Sequence, residues 1–493
     1  MMTLEPQTER WLTFLDRFAR LRVLVIGDAI LDRFLQGGAT RLCREAPVPI
    51  VDIERVQDVP GGAANTAANA TSLGGETFFL SVIGADEGGD RLQQALTQRG
   101  VRLDDLQIHP SRRTLTKQRV MAADQLVVRF DQGSTGAIAP DLENQLIERL
   151  QQRFPTCDAV IISDYGYGIL TPRVIAALAQ LQAEQPRVMV ADAKRLQDYA
   201  AVGVTAVKPN YGEAIALLQL PPMTGAARVA QITQAGQKIL ALTGAQLAAI
   251  TLDVDGALIF LGDRPPTRTL ARPAPSSHAT GAGDTYVATL ALALAAGADP
   301  HAATSLAATA TAVTTREMGT TCCQPLALRR SLLATHKRIS DQAELLSVVE
   351  QHRRLGQKIV FTNGCFDLLH SGHVTGLEQA SALGDVLIIG VNTDESIRQL
   401  KGEARPVNPL ADRLRVLAAL GCVDYVVPFG DLSPRELIRL IRPDVYTKGG
   451  DYTRQTLPET PLVEELGGEV VILPYVEHQS TTGLIQCIRA GRG

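Results

Sequence analysis

One stretch of the chain, IVFTNGCFDLLHSGH at residues 359–373, has residue types and a spacing that suit phosphate chemistry. Its apolar and β-branched run ends in an Asn-Gly pair, which predicts a buried strand, a tight turn and a helix that begins near Ser371. Residues three apart share a helix face, so His370 and His373 can point together at the amino end of that helix. Free N–H groups and the helix dipole favour an anion there, and two imidazoles can stabilise the extra charge of a pentacoordinate phosphorus. The stretch therefore predicts a nucleotidyl-transfer site with His370 and His373 as its catalytic residues.

Two other interpretations of these histidines remain open. Either one alone could be a packed or surface residue, and His370, His373 and Cys365 could together bind zinc. The zinc interpretation is weaker because zinc-binding helices more often carry HExxH, with four-residue spacing. HxGH directly after a strand and an FD pair resembles the signature of the nucleotidyltransferase superfamily, which includes cytidylyltransferases and pantetheine-phosphate adenylyltransferases.

A second stretch suited to phosphate transfer is Thr280-Gly281-Ala282-Gly283-Asp284, which precedes a helix of small residues. Glycines before a helix leave backbone N–H groups free to hold a migrating phosphoryl group. The aspartate can take the proton from an attacking hydroxyl. The alternative is a simple helix start with Asp284 as an ordinary first-turn acid. The loop is not of the Walker type, because no GxxxxGK[ST] occurs in the chain.

Strands and helices alternate around this stretch, and several strands end in polar residues. The run RVLVIGD predicts a buried strand that delivers Asp28 to its carboxyl end, with Asp32 one turn later. Gly61 and Gly62 open an Ala-rich helix that carries Asn65, and they either let a ligand approach the backbone or serve packing alone. Further strands are predicted at 160–166, 187–194, 206–210 and 247–260. The alternation predicts a mostly parallel sheet covered by helices.

Four motifs of this half, in their order, resemble those of ribokinase-type carbohydrate kinases. They are GD at 27–28, GGAAN at 61–65, NYGE at 210–213 and GAGD at 281–284. The resemblance implies that Asp284 is the catalytic base and that the backbone of residues 281–283 forms the anion hole. It also implies that Asn210 and Glu213 organise magnesium and the ATP phosphates, with magnesium held through water near Glu213 and by no direct protein ligand. The sugar is expected to contact Asp28, Asp32, Gly61, Gly62 and Asn65.

LDVDG at 252–256 mimics the DxDG start of haloacid-dehalogenase phosphatases, in which the first aspartate is the nucleophile. The segment lies between two kinase motifs, where ribokinase-like proteins have a strand and a glycine turn. No segment the size of a phosphatase domain surrounds it. We therefore predict a structural turn at Asp253 and Asp255 rather than a phosphatase site.

The last third restarts an alternating pattern around the two histidines. Predicted strands cover 358–362, 385–392, 423–429, 444–450 and 469–475. Lys401, Arg405 and Arg413 follow the second of these strands, with Lys401 in a mobile loop. These cations form either a solvated face or a clamp on triphosphate oxygens, and a Ser-Thr-Thr run that opens the last helix offers further phosphate ligands. The expected nucleotide and substrate contacts of this half are Thr362, Asn363, Phe366, Asp394, Lys401, Arg405, Lys448, Ser480, Thr481 and Thr482.

Composition limits the classes of function that need to be considered. A chain of 493 residues is too long for a single core and predicts two to four domains. Its net charge of -4 gives no general attraction to nucleic acid or to anionic membranes. The seven cysteines form no regular framework, no signal peptide is recognisable, and the Ala-rich apolar run is too short to span a bilayer. We therefore expect a cytoplasmic protein that binds neither nucleic acid nor membrane.

The two halves predict an α/β protein of two domains. We expect a ribokinase-like kinase domain at 1–325, a helical connector at 326–350 and a smaller Rossmann-like HxGH nucleotidyltransferase domain at 351–493. Together with the kinase motifs, TNGCFDLLHSGH, VNTD, LKGEARPVNPLADR, KGGDY and STT resemble one family over nearly the whole chain. It is the family of bifunctional heptose-7-phosphate kinases and heptose-1-phosphate adenylyltransferases.

This resemblance implies two ATP-dependent reactions with Mg²⁺. The first phosphorylates D-glycero-β-D-manno-heptose 7-phosphate at O1 and gives the 1,7-bisphosphate. The second transfers AMP from ATP to heptose 1-phosphate and gives ADP-heptose and pyrophosphate, for lipopolysaccharide core synthesis. A separate phosphatase must remove the 7-phosphate between the two reactions. A homodimer is also expected.

Three sites in the kinase half depart from the family pattern. His278 stands where an acidic residue usually begins the run that ends in GAGD. Cys43-Arg44 replaces Ser-Pro before EAPVP, and Tyr167 replaces a lysine in SDYGKG. These departures bear on the cation dependence and rate of the kinase. An alternative is a nucleotidyltransferase whose kinase-like half only senses a sugar phosphate or forms dimers, but the intact GAGD and NxxE argue against it; a pure scaffold would leave both phosphate motifs unexplained.

Overall fold

The computed structural model describes residues 6–122, 125–269, 280–315, 320–339, 341–449 and 452–474. By the contacts among its residues, the chain forms two compact units, one up to Arg329 and the other from Arg330 onward. Each unit is built on a largely or wholly parallel sheet with helices, so the predicted α/β class with two domains is confirmed. Among the helices that the structure describes, none is both long enough and apolar enough to cross a membrane.

The described residues of the first unit form two sheets. Its strands, in chain order, are β1 (Arg22–Gly27), β2 (Ala29–Leu42), β3 (Pro49–Gly62), β4 (Glu76–Gly84), β5 (Leu106–His109), β6 (Leu115–Ala122), β7 (Gln125–Gln132), β8 (Ala159–Asp164), β9 (Val188–Ala193), β10 (Ala206–Val207), β11 (Leu247–Thr251), β12 (Ala257–Leu261) and β13 (Thr267–Thr269). The main sheet has the order β13-β12-β11-β10-β9-β8-β1-β4-β5 and is parallel except at its β12 and β13 edge. The predicted parallel sheet is therefore confirmed, and its strands carry their polar last residues to one edge.

The strand predicted at 247–260 is in fact two antiparallel strands, β11 and β12. A short 3₁₀ turn, Asp253–Asp255, joins them, and Gly256 follows it with a φ of 85°. Only glycine adopts such a backbone conformation readily. The structural turn predicted for the DVDG segment is confirmed.

A second, smaller sheet has the order β3-β2-β6-β7, which we call the small sheet. The sequence analysis did not predict it. All eight residues of β7 are exposed, so this strand lacks the alternation of apolar and polar residues that marks a strand packed on a core. Strand β2 contains Gly37 and Gly38, where its register with β3 shifts, and this also weakens the sequence signal.

Helices connect many of the strands and occur in both units. In chain order they are α1 (Pro6–Phe18), α2 (Ala63–Ser72), α3 (Glu87–Gln98), α4 (Pro140–Arg153), α5 (Pro172–Glu184), α6 (Tyr211–Leu218), α7 (Ala226–Ala235), α8 (Gln237–Thr243), α9 (Ala282–Ala295), α10 (Pro300–Thr314), α11 (Pro325–His336), α12 (Gln342–Arg354), α13 (Ser371–Ser381), α14 (Asp394–Lys401), α15 (Leu410–Ala418), α16 (Arg435–Ile441) and α17 (Thr460–Glu465). Helices α2 and α9 pack against each other and are buried along most of their length. Their small side chains allow this close approach, which brings the two glycine motifs together.

In the part of the second unit that the structure describes, five parallel strands lie in the order β16-β15-β14-β17-β18. They are β14 (Ile359–Gly364), β15 (Val386–Asn392), β16 (Tyr425–Phe429), β17 (Val445–Lys448) and β18 (Glu469–Ile472). The chain leaves the central strand β14 toward β15 and later returns to its other side with β17. The crevice at the carboxyl end of β14 is thus a topological switch point, where open α/β sheets bind ligands. The predicted strands of this unit are confirmed; β14 extends two residues further than predicted, to Gly364, and the other four are shorter than predicted. The predicted last helix lies outside the described residues.

The segment predicted as a connector, 326–350, forms α11 and the first part of α12. Leu345, Val348 and Val349 of α12 are buried in the same apolar core as Phe361 of β14. This part of the segment therefore packs as an integral element of the second unit.

Candidate active sites

The glycine turn predicted to hold a phosphoryl group starts helix α9. Gly281 precedes the first helical residue, Ala282, with a φ of 82°, which L side chains rarely adopt. A Cβ atom on Gly281 would lie 2.6 Å from Nδ2 of Asn65. One on Gly283 would lie 3.3 Å from Nζ of Lys208. The turn therefore needs glycine for its conformation and for space, and the positive end of the α9 dipole lies there.

Asp284, the predicted base, lies in the first turn of α9 and is only 4% exposed. Nδ2 of Asn65 donates a hydrogen bond to its Oδ2 over 2.7 Å, and the hydroxyl of Tyr165 donates to its Oδ1 over 2.8 Å. The hydroxyl of Thr66 also donates to Oδ1, over 3.3 Å. Burial raises the pKa of the Asp284 carboxyl, and the hydrogen bonds from Asn65 and Tyr165 oppose that rise. The structure thus brings Asn65 and Asp284 together, and it adds Tyr165, whose part the sequence analysis missed.

Two further buried charges, to which the sequence analysis gave no role, lie beside this turn. Nζ of Lys208 is 3.1 Å from Oδ2 of Asp192. Burial raises the pKa of Asp192 to about 7, although Lys208 opposes the rise. Burial also acts to lower the pKa of Lys208, but the carboxylates of Asp192 and Glu213 outweigh it, so that this pKa is raised. Asp284 interacts with both Asp192 and Lys208 as well, so the carboxylates of Asp192, Glu213 and Asp284 surround one ammonium. The sequence signal that could have found this group is the pair of polar residues at the strand ends, Asp192 in β9 and Lys208 directly after β10.

Asn210 and Glu213, the predicted NxxE pair, form the start of helix α6. Oδ1 of Asn210 accepts a hydrogen bond from the Glu213 N–H, and a carboxylate oxygen of Glu213 accepts one from the Asn210 N–H, both over 2.9 Å. This reciprocal capping fixes both side chains at the helix start. A cavity of about 360 Å³ adjoins them, lined by Asn210, Tyr211, Gly212, Met223, Thr224, Gly225, Arg228 and Asp253.

Asp28, a predicted sugar contact, is 2% exposed and holds the loop that follows β8. Its Oδ2 accepts hydrogen bonds from the N–H groups of Tyr165 and Tyr167 over 2.9 and 3.1 Å. Its Oδ1 accepts one from the N–H of Ile169 over 3.3 Å. In this structure Asp28 therefore acts on the site through the position of Tyr165 and Tyr167.

Asp32, Gly61 and Gly62 lie together where β2 pairs with β3. Oδ1 of Asp32 accepts a hydrogen bond from Arg119 over 2.6 Å, and both side chains are largely buried. A Cβ atom on Gly61 would lie 2.3 Å from Oδ2 of Asp32, and Gly62 has a φ of 55°. Both glycines are thus required locally, whether or not a sugar is bound. Of the positions that depart from the family pattern, Cys43 and Arg44 lie between β2 and β3, Tyr167 is half-buried, and His278 lies outside the described residues.

The HxGH histidines begin helix α13, as predicted. His370 is the N-cap, α13 starts at Ser371, and the ring centres of His370 and His373 are 3.9 Å apart. Phe366 packs against His373 with 5.5 Å between ring centres. Burial, together with the charges of His370 and Lys401, lowers the pKa of His373 to about 4. His373 is therefore neutral near pH 7, and its Nδ1 has no hydrogen-bond partner among the described residues.

Lys448 and Asn363 meet at the carboxyl ends of β17 and β14. Nζ of Lys448 donates hydrogen bonds to the carbonyl oxygen and to Oδ1 of Asn363, both over 2.9 Å. The hydroxyl of Tyr446 donates to the same Oδ1 over 2.7 Å. Burial lowers the pKa of Lys448 to about 8, while Glu459 and Cys365 act to raise it. Lys448 is thus a cation at the switch point whose charge is sensitive to pH.

The remaining predicted cations differ in their surroundings. Arg405 forms an ion pair with the buried Asp367, so its charge is already compensated. Arg413 has a side chain only 1% exposed and donates to Oδ1 of Asp394 over 2.6 Å. Lys401 is exposed, as a phosphate-binding cation requires.

The structure corrects the predicted loop around Lys401, which is the last residue of helix α14. The hydroxyl oxygen of Thr393 caps this helix by accepting from the Ser396 N–H. Thr362 is largely buried and donates to the Thr447 carbonyl oxygen over 3.0 Å. Ser480, Thr481 and Thr482 lie outside the described residues.

A zinc site of His370, His373 and Cys365 does not form. In the described part of the chain, no three His, Cys, Asp or Glu side chains are grouped so that they could hold a metal ion. The histidine pair stands instead at a helix start, and the charge of Lys401 acts on His373. This is an arrangement for anions.

Comparison with known proteins agrees with two phosphate-transfer sites in one chain. Residues 20–327 match the family model of pfkB family carbohydrate kinases, and residues 361–481 match the cytidylyltransferase-like model. The chain is 37% identical over 480 residues to the bifunctional protein HldE of Desulfatibacillum aliphaticivorans, with 97% of each chain covered. It is also 37% identical over 484 residues to the HldE of Pseudomonas aeruginosa strain UCBPP-PA14, with 96% of this chain and 98% of that protein covered.

Two solved structures are similar to the kinase-like part of the chain. Phosphofructokinase-2 from Escherichia coli aligns with a TM-score of 0.52 and 21% identity over 63% of this chain and 98% of its own. Ribokinase from Arabidopsis thaliana, complexed with ribose and ATP, aligns with a TM-score of 0.50 and 19% identity over 63% and 98%. At this identity the likeness shows the fold alone, and the predicted ribokinase-like fold is confirmed.

Proposed function

Because the chain belongs to the family of bifunctional HldE proteins, we propose that it catalyses two reactions of ADP-heptose synthesis. In the first, ATP phosphorylates heptose 7-phosphate at O1 and gives the 1,7-bisphosphate. In the second, the AMP group of ATP passes to heptose 1-phosphate, and ADP-heptose and pyrophosphate are released. The unit that contains Asp284 performs the first reaction, and the unit that contains His370 and His373 performs the second.

In the kinase reaction Asp284 is the general base. It takes the proton from the O1 hydroxyl as O1 attacks the γ-phosphorus of ATP, and the bond to the bridging oxygen breaks to release ADP. Asn65 donates to one oxygen of Asp284 over 2.7 Å and keeps the carboxylate oriented. The N–H groups of the turn at Gly281 bind the equatorial oxygens of the phosphoryl group in transfer, where negative charge must be stabilised.

ATP enters this site with Mg²⁺. The described side chains form no group that would hold a metal ion directly, but the carboxylates of Asp192, Glu213 and Asp284 outnumber the one ammonium of Lys208, and their oxygens suit the water shell of magnesium. We assign Glu213 and Asp192 to hold magnesium through water, beside the cavity that adjoins Asn210. When bound, the ion neutralises charge on the ATP phosphates.

In the transferase reaction the phosphate oxygen of heptose 1-phosphate attacks the α-phosphorus of ATP, and pyrophosphate leaves. The nucleophile is already ionised, so this unit needs to position charges rather than remove a proton. His370 and His373 bind the α-phosphate oxygens at the start of α13. Lys448 and Lys401 bind the leaving pyrophosphate. Phe366 keeps His373 packed and its ring direction fixed.

The observation that favours two reactions over a kinase-like sensor is the surroundings of Asp284. A sensor needs affinity for a sugar phosphate, but it has no use for a buried carboxylate held by Asn65 and Tyr165 at a glycine turn. The test is to incubate the full-length protein with ATP, Mg²⁺ and heptose 7-phosphate and to follow ADP and the bisphosphate. We expect the two products in equal amounts. Saturable binding of heptose 7-phosphate without ADP release would favour the sensor.

We also infer a homodimer formed through the small sheet. Many apolar side chains of this sheet are exposed, namely Leu42, Ile53, Val56, Leu126, Val127, Val128 and Phe130. Soluble monomers rarely leave so many apolar groups of one sheet in water. Light scattering after size-exclusion chromatography should give twice the mass of the 52.8 kDa chain, and Val128→Lys should shift it to the monomer.

The compartment we infer is the cytoplasm. The six cysteines within the described residues are all free, which suits a reducing environment. Both reactions consume ATP, and a separate bisphosphate phosphatase must act between them in the same compartment.

A further inference from the structure

Asn69 is a buried amide in helix α2, and neither reaction as described above gives it a part. The residue is 0% exposed. Its Nδ2 donates hydrogen bonds to the carbonyl oxygen of Asn65 over 3.0 Å and to Oδ1 of Asn65 over 3.2 Å. Its Oδ1 accepts hydrogen bonds from the hydroxyl of Thr285 over 2.9 Å and from the backbone N–H of Cys323 over 3.2 Å. Both protons and both lone pairs of the amide group are therefore used.

The partners of Asn69 come from three separate parts of the first unit. Besides Asn65 on α2, they are Thr285, which follows the base on α9, and Cys323, which lies just before α11. A second hydrogen bond holds α2 to the chain at Cys323, because the hydroxyl of Ser72 donates to the Cys323 carbonyl oxygen over 3.0 Å. The Asn69 side chain thus has a fixed place between these parts.

The orientation of the Asn69 amide determines the orientation of the next amide, that of Asn65. A backbone N–H can only donate, so Oδ1 of Asn69 must face Cys323, and its Nδ2 then faces Asn65. Because that Nδ2 can only donate as well, Oδ1 of Asn65 faces Asn69. Nδ2 of Asn65 is left to face Asp284, and it donates to Oδ2 of that residue over 2.7 Å. The N–H of Cys323 thus decides, through two amides, which atom of Asn65 meets the base.

An amide that is free to turn can stabilise either form of a carboxyl group. With Nδ2 toward Asp284, Asn65 donates to the ionised carboxylate. With Oδ1 toward Asp284, it would accept the proton of the neutral acid instead. Only the ionised carboxylate can take a proton from the sugar hydroxyl. Asn69 therefore excludes the orientation of Asn65 that favours the inactive form of the base.

The groups that act on the charge of Asp284 come from several elements, namely Asn65, Asp32, Tyr165, Asp192, Lys208 and Cys322. Burial raises the pKa of Asp284, and the hydrogen bonds from Asn65 and Tyr165 oppose the rise. Lys208 opposes it as well, whereas Asp32 adds to it. Among the described hydrogen bonds of the Asn69 side chain, those to Asn65 are the ones that reach this group. An effect of Asn69 on the base is therefore expected to pass through Asn65.

We propose that Asn69 is a positioning residue of the kinase: it holds the Asn65 amide so that its N–H group, and not its carbonyl oxygen, meets the base Asp284. The proposal rests on the kinase reaction proposed above. Asn69 itself is not expected to touch the sugar or ATP. Its loss should therefore change the fraction of Asp284 that is ionised at a given pH, with the reactive groups themselves unaltered.

The test measures the kinase kcat/KM against pH in full-length Asn69→Leu, whose side chain has nearly the same shape but no donor. Asn65 can then turn and stabilise the neutral acid, so the acid limb should move to higher pH. At the acid end of the profile we expect kcat/KM to fall by about tenfold. At the alkaline end Asp284 is ionised in both proteins, so most of the activity should return.

Ser72→Ala is the matched control. It removes a hydrogen bond between the same helix and the same residue, Cys323, but leaves both amides in place. Its acid limb should coincide with that of the unmodified protein. If Asn69→Leu does not fold, Asn69→Ala gives the same test with a smaller side chain that likewise cannot orient Asn65.

A double-mutant cycle tests whether Asn69 acts through Asn65. In Asn65→Ala the base has already lost its amide donor, so the acid limb should lie at higher pH than in the unmodified protein. Adding Asn69→Leu should move it no further. If Asn69 served only to pack α2 against α9, its loss would lower kcat/KM at every pH and leave the limb in place.

The outcomes separate this inference from the proposed function. If the unmodified protein phosphorylates no sugar phosphate, the proposed kinase reaction is wrong, and so is the role of Asn69 in it. If the kinase is active but the acid limb of Asn69→Leu is unmoved, the reaction stands and this inference is overturned. A further shift on top of Asn65→Ala would also overturn it, because Asn69 would then act by another route.

Discussion

Tyr165 connects Asp284 to the loop that follows β8: its hydroxyl donates to Oδ1 of Asp284 over 2.8 Å. The backbone N–H of the same tyrosine donates to Oδ2 of Asp28 over 2.9 Å. Asp28 therefore controls where the Tyr165 hydroxyl stands, and Tyr165 in turn controls how basic Asp284 is. Asp28, which is expected to contact the sugar, thus also affects the kinase reaction through the position of the loop after β8.

The first prediction concerns Tyr165→Phe, which removes a donor that lowers the pKa of Asp284. The base works only when it is ionised, so the kinase loses activity as the pH falls through this pKa. Without the Tyr165 hydroxyl the pKa rises, and the acid limb of the profile of kcat/KM against pH should move to higher pH. Tyr199→Phe removes a 2.8 Å hydrogen bond to Asp164 instead and is the control. An acid limb that stays in place in Tyr165→Phe would show that this hydrogen bond is absent from the reacting complex.

The second prediction is that Asp284→Asn abolishes the kinase and leaves adenylyl transfer intact. An amide has nearly the shape of the carboxylate but cannot accept the hydroxyl proton, so the loss should lie in kcat. Titration of heptose 7-phosphate into the variant should still give binding close to that of the unmodified protein. Lost binding with retained turnover would make Asp284 a binding residue and exclude it as the base.

The third prediction is that His373→Ala lowers adenylyl transfer by about 10²- to 10³-fold, because one group that stabilises transition-state charge is removed. The kinase reaction in the same preparation should stay normal, since Asp284 and His373 belong to units with separate cores. Asp284→Asn and His373→Ala thus serve as each other's controls. Equal damage to both activities by either variant would contradict the assignment of one reaction to each unit.

The fourth prediction follows from Lys448, whose pKa is lowered to about 8 by burial. Its ammonium is charged below this pH and neutral above it, so binding of the triphosphate weakens as the pH rises through about 8. The kcat/KM for ATP in adenylyl transfer, which reports the free enzyme, should show an alkaline limb there. Lys448→Arg keeps its charge at all these pH values and should remove the limb. A limb that persists in Lys448→Arg would assign it to another group.

The parts of the sites that were predicted from sequence are those whose function depends on local backbone. Gly281 and Gly283 precede a helix, and His370 and His373 begin one, so residue type and spacing were sufficient. Tyr165 was missed because its partner Asp284 lies 119 residues further along the chain. No local pattern reports a contact that only the packing of β8 against α9 creates.

The cations of the second unit also show that sequence patterns do not predict contacts between distant parts of the chain. Lys401, Arg405 and Arg413 were equivalent in the sequence, as cations that follow one strand. In the structure Arg405 and Arg413 are paired with Asp367 and Asp394, and only Lys401 is exposed. Tertiary structure decides which carboxylate neutralises a given cation. The positions of the charges along the chain therefore do not predict these ion pairs.

The last prediction is that the pure protein stops between its two reactions. Its kinase product carries phosphates at positions 1 and 7, whereas the proposed transferase accepts the 1-phosphate alone. The DVDG segment offers no replacement for a phosphatase in this structure, since it forms a hairpin turn in which Asp253 is exposed and bound to Arg228 over 2.9 Å.

Incubation with ATP, Mg²⁺ and heptose 7-phosphate, followed by phosphorus NMR, should therefore show the 1,7-bisphosphate accumulating. ADP-heptose should appear only after a bisphosphate phosphatase is added, and directly when heptose 1-phosphate is supplied. If the protein alone makes abundant ADP-heptose, Asp253→Asn decides between the explanations. Loss of that product in the variant would make the DVDG turn a phosphatase site. Its persistence would mean that another group of the protein removes the 7-phosphate, since a transferase that accepted the bisphosphate would give ADP-heptose 7-phosphate instead.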